Sequence, residues 1–226
     1  MGELTRNTDI LRREVAAHVA ADQVAQGFYW DDENRRGCWI GCLSHHRRGA
    51  PEIVEAQYGI PEMVQRIAES IFERLPADEA VAFFSAFPDA VGCDGKDLSR
   101  VGWRFLHSEL QNLPPAGEWQ SVINPVVAGI GRLACGLEWD EDAADAAADA
   151  AHAANAADAA DAAGDAARAA ARAAAGAAAD AASLASVAAR AAARATGAAR
   201  VASAADLRRQ RDLLLRLIAD AEVHYD

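Results

Sequence analysis

Large apolar residues recur at helical spacing through the first 140 residues of this 226-residue chain and become scarce after that. The capping residues Asn7, Thr8 and Asp9 precede a stripe of Leu11, Val15 and Val19, which predicts a first amphipathic helix ending near Gly27. Pro51 opens a short helix to Tyr58, and Pro61 opens one carrying Met63, Val64, Ile67 and Ile71 on one face. Asp78 is placed to cap a helix with Val81, Phe83, Phe84 and Phe87 that stops at Pro88. Beyond the turn signal Gly92-Cys93-Asp94-Gly95, a helix with Leu98, Val101, Phe105, Leu106 and Leu110 runs to Pro114. A last one from Trp119 carries Val122, Ile123, Val126, Val127, Ile130 and Leu133, with Pro125 expected to kink it or delimit its first turn.

The helical period fails in one place. Phe28-Tyr29-Trp30 is followed by a polar turn from Asp31 to Arg36 and by the short apolar run Cys38 to Leu43, so a small β-hairpin is expected near residues 28–45. The chain therefore reads as mainly all-α with a small hairpin insert, in a globular domain of residues 1–140.

From Asp142 to Ala205 alanine is interrupted about once per helical turn by one polar residue or glycine, and Leu184, Val187 and Val201 are the only large aliphatics. Alanine has the highest helix propensity and loses no side-chain entropy, so residues 141–206 are expected to be helical on local grounds. Aspartates from Asp142 to Asp165 come first and arginines from Arg168 to Arg200 later, with Asp180 the exception. That order suits the dipole of one long rod, or acidic and basic stripes facing each other in helices packed back at Gly164, Gly176 or Gly197. Packed helices are the reading favoured here, and so little bulk implies a homo-oligomer to bury more surface. Residues 207–226 regain a conventional face, with Leu207, Leu214, Leu217, Ile218 and Ala221, for docking on a neighbouring helix, the first domain or a second subunit.

A net charge of −12 makes duplex DNA an unfavourable partner. The charged start Met1-Gly2-Glu3-Leu4-Thr5-Arg6 and the lack of a long apolar window predict no signal peptide and no membrane span. Four cysteines are too few for a disulfide scaffold of this length and suit a reducing cytoplasm.

Candidate chemistry concentrates between Arg35 and Arg48. Arg35, Arg36, His45, His46, Arg47 and Arg48 gather positive charge in an acidic protein, and Phe28, Tyr29, Trp30 and Trp39 supply stacking faces. Arginine for phosphate and aromatic rings for a base are the two halves of a nucleotide site, so the ligand expected is phosphorylated or nucleotide-like. A competing reading uses Cys38, Cys42 and His45, with Cys93 added, as zinc ligands, or Cys42 as a nucleophile with a histidine base. On an extended strand the two cysteine Cα atoms lie about 13 Å apart, so a shared zinc needs a bend at Gly41. The plainest alternative is a solvated charged loop beside core aromatics and buried cysteines, in a purely structural oligomerisation protein. Binding without catalysis is the function favoured, and His152 is one polar position of the alanine stripe.

The run Gly37-Cys38-x-x-Gly41-Cys42-x-x-His45, then Gly59-Ile60-Pro61, Ile71-Phe72-Glu73-x-Leu75-Pro76, Asp97-Leu98-Ser99 and the alanine-rich tail, resembles a family of uncharacterised alanine-rich bacterial and bacteriophage proteins. The match covers roughly residues 37–110, and the tail by composition alone. The resemblance implies no activity, and a cysteine at Cys93 is not part of its pattern. It does imply a phage or mobile-element setting, with antagonism of host defence through a captured nucleotide-like signal or a bound host protein.

Residues 141–226 are expected to contribute strongly helical circular dichroism to the intact protein. Expressed alone, the segment should melt without cooperativity, because packing supplies most of the stability of helices in proteins. An equally cooperative melt in isolation would establish it as an independent domain.

Overall fold

The computed structural model describes residues 4–46, 50–112, 120–140, 142–144 and 204–224. The chain is mainly helical with one two-stranded antiparallel hairpin: α1 Thr8–Ala20, β1 Trp30–Asp31, β2 Arg36–Gly37, α2 Trp39–Ser44, α3 Ala50–Tyr58, α4 Glu62–Phe72, α5 Ala77–Val91, α6 Val101–Gln111, α7 Gln120–Ala134 and α8 Ala204–Ala219. It divides into two compact units, residues 1–99 with 202–226, and residues 100–201. The division departs from a boundary at 140: α6 and α7 pair with each other in the second unit, and α8 packs on α5 and α4 in the first. The arrangement of the alanine-rich segment and its proposed self-association lie outside the described residues.

Two expectations about local structure change. The apolar run Trp39–Ser44 is helix α2, while the hairpin is confined to Trp30↔Gly37 and Asp31↔Arg36. A half-buried strand would expose alternate residues, but every residue of α2 is buried, and a helix satisfies its backbone internally in that setting. In α1 the cap is not supplied by Asn7, whose backbone is left-handed (φ 54°) and whose Nδ2 donates to Gln57 O at 2.7 Å. The carboxylate of Asp94 takes over, accepting from the Thr8 backbone N–H at 2.8 Å, and that bond holds its pKa below the ordinary value.

The core of the first unit joins Leu11 and Val15 of α1, Ile40 of α2, Val54 of α3, Ile67 and Ile71 of α4, Phe84 and Phe87 of α5, and Leu214 and Ile218 of α8, all buried. Each such side chain stabilises the fold by about 1.5–3 kcal/mol relative to exposure. Pro88 does not end α5, which continues to Val91, because a proline in the last turn disturbs few backbone bonds; Gly92, at φ 77°, ends it. In the second unit Gly129 and Gly131 of α7 leave room for the rings of Trp139 and His107, which a Cβ would meet at 2.1 and 2.9 Å.

Residues near both described ends of the first unit meet one loop. Thr5 N donates to Lys96 O (2.9 Å), Gly95 N to Thr5 O (2.8 Å), His224 N to Gly95 O (2.8 Å) and Asp97 N to Glu222 O (2.8 Å). Lys96, only 7% exposed, donates from Nζ to Ala90 O at 3.0 Å, Ile218 O at 3.1 Å and Ala219 O at 2.8 Å. One ammonium thus satisfies carbonyls at the C-terminal ends of α5 and α8, where the helix dipoles favour a cation.

Replacing Lys96 by Met should cost on the order of 3 kcal/mol, since three acceptors lose a charged donor in a buried setting. Chemical denaturation measures the loss. Hydrogen exchange should show α8 losing protection first, and protection retained in α8 would refute the capping role.

Candidate functional site

The stretch that connects α1 to α2 is shaped by two glycines. A Cβ on Gly37 would lie 1.8 Å from the Tyr29 carbonyl oxygen, and one on Gly41 would lie 1.4 Å from the same atom. Only glycine lets the Tyr29 backbone press against both β2 and the first turn of α2. Cys38 stands at the N-cap of α2, its N–H donating to Phe28 O at 3.0 Å. His45 closes α2 in a left-handed conformation (φ 54°), its N–H donating to Gly41 O at 2.8 Å. The spacing Gly37-Cys38-x-x-Gly41-Cys42-x-x-His45 is thereby a folding device, with each position assigned a backbone task.

Cys38 and Cys42 of the motif are packed inside the fold as free thiols. Cys38 and Cys42 are 1% and 0% exposed, and burial pushes both thiols up to about 12. The Cys42 thiol donates to Gly37 O at 3.4 Å rather than to an imidazole. A nucleophile acts as the thiolate, so burial works against Cys42 as a nucleophile, while zinc ligation by Cys38, Cys42 and His45 would require the metal itself to displace the thiol protons. The helix also removes the separation expected for a strand, since Cys38 caps α2 and Cys42 follows one turn later, its N–H donating to Cys38 O at 2.8 Å. Cys93 lies in the loop between α5 and α6 that also holds Lys96, and its carbonyl accepts from Thr5 Oγ1 at 2.9 Å.

The expected anion site is only partly assembled. Trp39 is a core residue, 2% exposed, with its ring 4.9 Å from that of Phe87 and its indole N–H buried without a partner among the described residues. It has no face to offer a ligand, because the burial of α2 takes all of it. Arg35 and Arg36 are exposed at the hairpin turn, Arg35 in a left-handed conformation (φ 52°). The Arg36 guanidinium stands over the Phe28 ring, 5.8 Å from its centre. His46 is exposed beside α2, and Arg47 and Arg48 lie outside the described residues.

Beside the hairpin an open cavity of about 440 Å³ is lined by Phe28, Tyr29, Trp30 and Asp31. Its apolar walls come from the aromatic run, and Asp31 is tied into the turn by bonds from Asn34 Nδ2 (2.6 Å) and Glu33 N (3.0 Å), which lower its pKa. The Tyr29 hydroxyl is fixed from behind: Arg66 Nη1 donates to it, and it donates to Glu69 Oε2 at 3.4 Å. Burial first, and then the charge of Glu69, push the Tyr29 phenol up to about 12. Arg66 also pairs with Glu62 at 3.3 Å and Glu69 at 3.1 Å along one face of α4.

A residue that periodicity passed over joins this region. His18 of α1 is 8% exposed, and its Nε2 lies 3.0 Å from Nε2 of His45. Its Nδ1 meets Gln23 Oε1 at 2.8 Å, and the Trp30 ring lies 4.8 Å from His45 and 6.0 Å from His18. Partial burial and the neighbouring His18 lower the His45 pKa below its ordinary value. The sequence signal for His18 was its place at 11, 15, 18, which follows the true helical period of 3.6, where 11, 15, 19 drifts off it. Among the described residues no group of three or more His, Cys, Asp or Glu is arranged to hold a metal ion. No helix among them is long and apolar enough to cross a membrane.

Comparisons of the chain with protein-family models, with curated proteins and with solved structures gave no match.

Glu73 supports the same loop by accepting from Gly27 N at 2.6 Å, and burial raises its pKa above the ordinary 4.5. A carboxylate with a raised folded pKa binds its proton better in the folded state, so its contribution is present below about pH 4.5 and is lost as pH rises through the folded value. Glu73→Gln keeps an acceptor for Gly27 N–H without that charge. The variant should be at least as stable as the parent at pH 7, with the difference fading below about pH 4.5 in denaturant titrations. A variant less stable than the parent at neutral pH would contradict the desolvation argument.

Proposed function

We propose that this is a non-enzymatic binding protein whose hairpin takes a planar, phosphorylated small molecule of the nucleotide class. The observation that carries the reading is the aromatic cavity of about 440 Å³ at Phe28, Tyr29, Trp30 and Asp31 with the Arg36 guanidinium on the Phe28 ring. A cavity of this size suits a small ligand, the aromatic walls suit stacking on a base, and exposed Arg35 and Arg36 suit a phosphate at the rim. Asp31 disfavours an anion directly over it, which places the phosphate toward the turn arginines. His46, Arg47 and Arg48 remain candidates for the same positive rim, while Trp39 is excluded by burial.

Two features favour binding over catalysis. The cysteines of the motif are protonated and buried, and the polar groups around Tyr29 are committed to one another in the Arg66–Glu62–Glu69 network. The free cysteines fit a reducing cytoplasm. In the mobile-element setting that the resemblance implies, sequestration of a host nucleotide signal is the role such a site would serve.

A ligand that binds only the folded protein raises its melting temperature, so a thermal-shift panel of mononucleotides and cyclic dinucleotides tests the reading directly. At least one member should stabilise the protein, and Arg35→Ala with Arg36→Ala should abolish that shift. The unliganded double variant should melt close to the parent, since exposed arginines contribute within about 0.5 kcal/mol. A panel without any shift, or a shift the double variant keeps, would dismiss the proposal.

A further inference from the structure

We propose that His18 and His45 form a two-imidazole binding site for a divalent transition-metal cation of the zinc(II) or copper(II) class. The two Nε2 atoms face each other at 3.0 Å, one from α1 and one from the residue that closes α2. Two imidazole lone pairs at that distance need something positive between or beside them: a proton, which gives one N–H···N bond, or a metal ion. With metal–nitrogen bonds of about 2.0–2.1 Å, a 3.0 Å separation subtends an angle of about 95°. That is the angle between adjacent ligands in a square-planar or octahedral sphere, and opening the pair by a few tenths of an ångström reaches the tetrahedral value.

The second observation is the fixed orientation of His18. With Gln23 Oε1 accepting at 2.8 Å, Nδ1 carries the ring proton and Nε2 is left as the ligating nitrogen. A ligating histidine characteristically holds its other ring nitrogen in this way. Gln23 is itself held by backbone bonds, Gln23 N to His18 O at 3.0 Å and Gly37 N to Gln23 O at 3.0 Å. The glycine-shaped connection that presses against Tyr29 thus also sets the second coordination layer of His18.

His18 is buried and His45 is exposed, so one side of the pair opens to solvent. Waters, or a donor atom from a bound molecule, complete the sphere there. Imidazole suits zinc, copper and nickel, and with two protein ligands the order of affinity follows the metal, copper(II) first. Trp30, 4.8 Å from His45, places an indole beside the site as a built-in reporter for a quenching ion.

Copper(II) added to the purified full-length protein should bind one ion per chain, with two imidazole nitrogens seen by pulsed electron paramagnetic resonance and with zinc(II) competing. His45→Gln, a change at an exposed position, should remove one of those nitrogens and weaken binding at least tenfold. Gln23→Leu should weaken binding by about tenfold while leaving the nitrogen count at two, as loss of an outer hydrogen bond to a ligand does. His18→Gln removes the other nitrogen if the variant folds, and the exposed His45 carries the test if it does not. Absence of binding, or an unchanged signal in His45→Gln with an unaltered melting curve, overturns the proposal and assigns any copper to His46, His107, His152 or His224.

Discussion

Lys96 places a buried ammonium among three peptide carbonyls that accept from it, and much of the first unit is arranged around that fact. Its three bonds reach the C-terminal end of α5 at Ala90 and that of α8 at Ile218 and Ala219. A buried cation is costly unless each of its protons finds an acceptor, so the two helix ends must sit at the same point. The same loop bonds Thr5 and His224, which brings the start and the end of the unit together. Residues more than 120 positions apart in sequence are thereby made neighbours by one side chain and a few backbone bonds. Gly59 and Gly95 make this closure sterically possible, since a Cβ at Gly59 would fall 2.0 Å from Leu4 O and one at Gly95 2.6 Å from His224 O.

The second constraint is the Tyr29 carbonyl wedged between Gly37 and Gly41. It fixes the path of the aromatic run Phe28 to Trp30, and with it the cavity, the position of Arg36 and the approach of His45 to His18. The loop that lines the cavity is supported by backbone against backbone, with the Tyr29 hydroxyl anchored to Arg66 and Glu69 on α4. The cysteines between the glycines fill the remaining space. Both are buried, and the polar groups beside them include His18 of α1 and His45, the residue that closes α2.

Much of the architecture is legible in the chain itself. Apolar stripes at helical period predict α4, α5 and α6, because each face of Met63, Val64, Ile67 and Ile71, or of Val101, Phe105, Leu106 and Leu110, has one physical use. The positive turn at Arg35 and Arg36 and the apolar character of Phe28 to Trp30 are equally local facts. The amphipathic C-terminal helix is visible too, although Leu213 is buried in it where Leu217 was expected to be.

What tertiary structure decided are the matters that depend on distant partners. Six residues of an apolar run carry no period long enough to separate strand from helix, and burial on every side made Trp39–Ser44 a helix. The partner of α8, the cap that Asp94 gives α1, and the loss of Trp39 from the surface follow from contacts across tens of residues. The pairing of His18 with His45 is of the same kind, since 27 residues separate them and neither neighbourhood alone marks the other. Local propensity and periodicity determine which segments fold and which face they bury. Side chains that must satisfy charge and hydrogen bonds inside the fold find their partners only when the chain closes, and there the glycines, Lys96 and the two imidazoles acquire their roles.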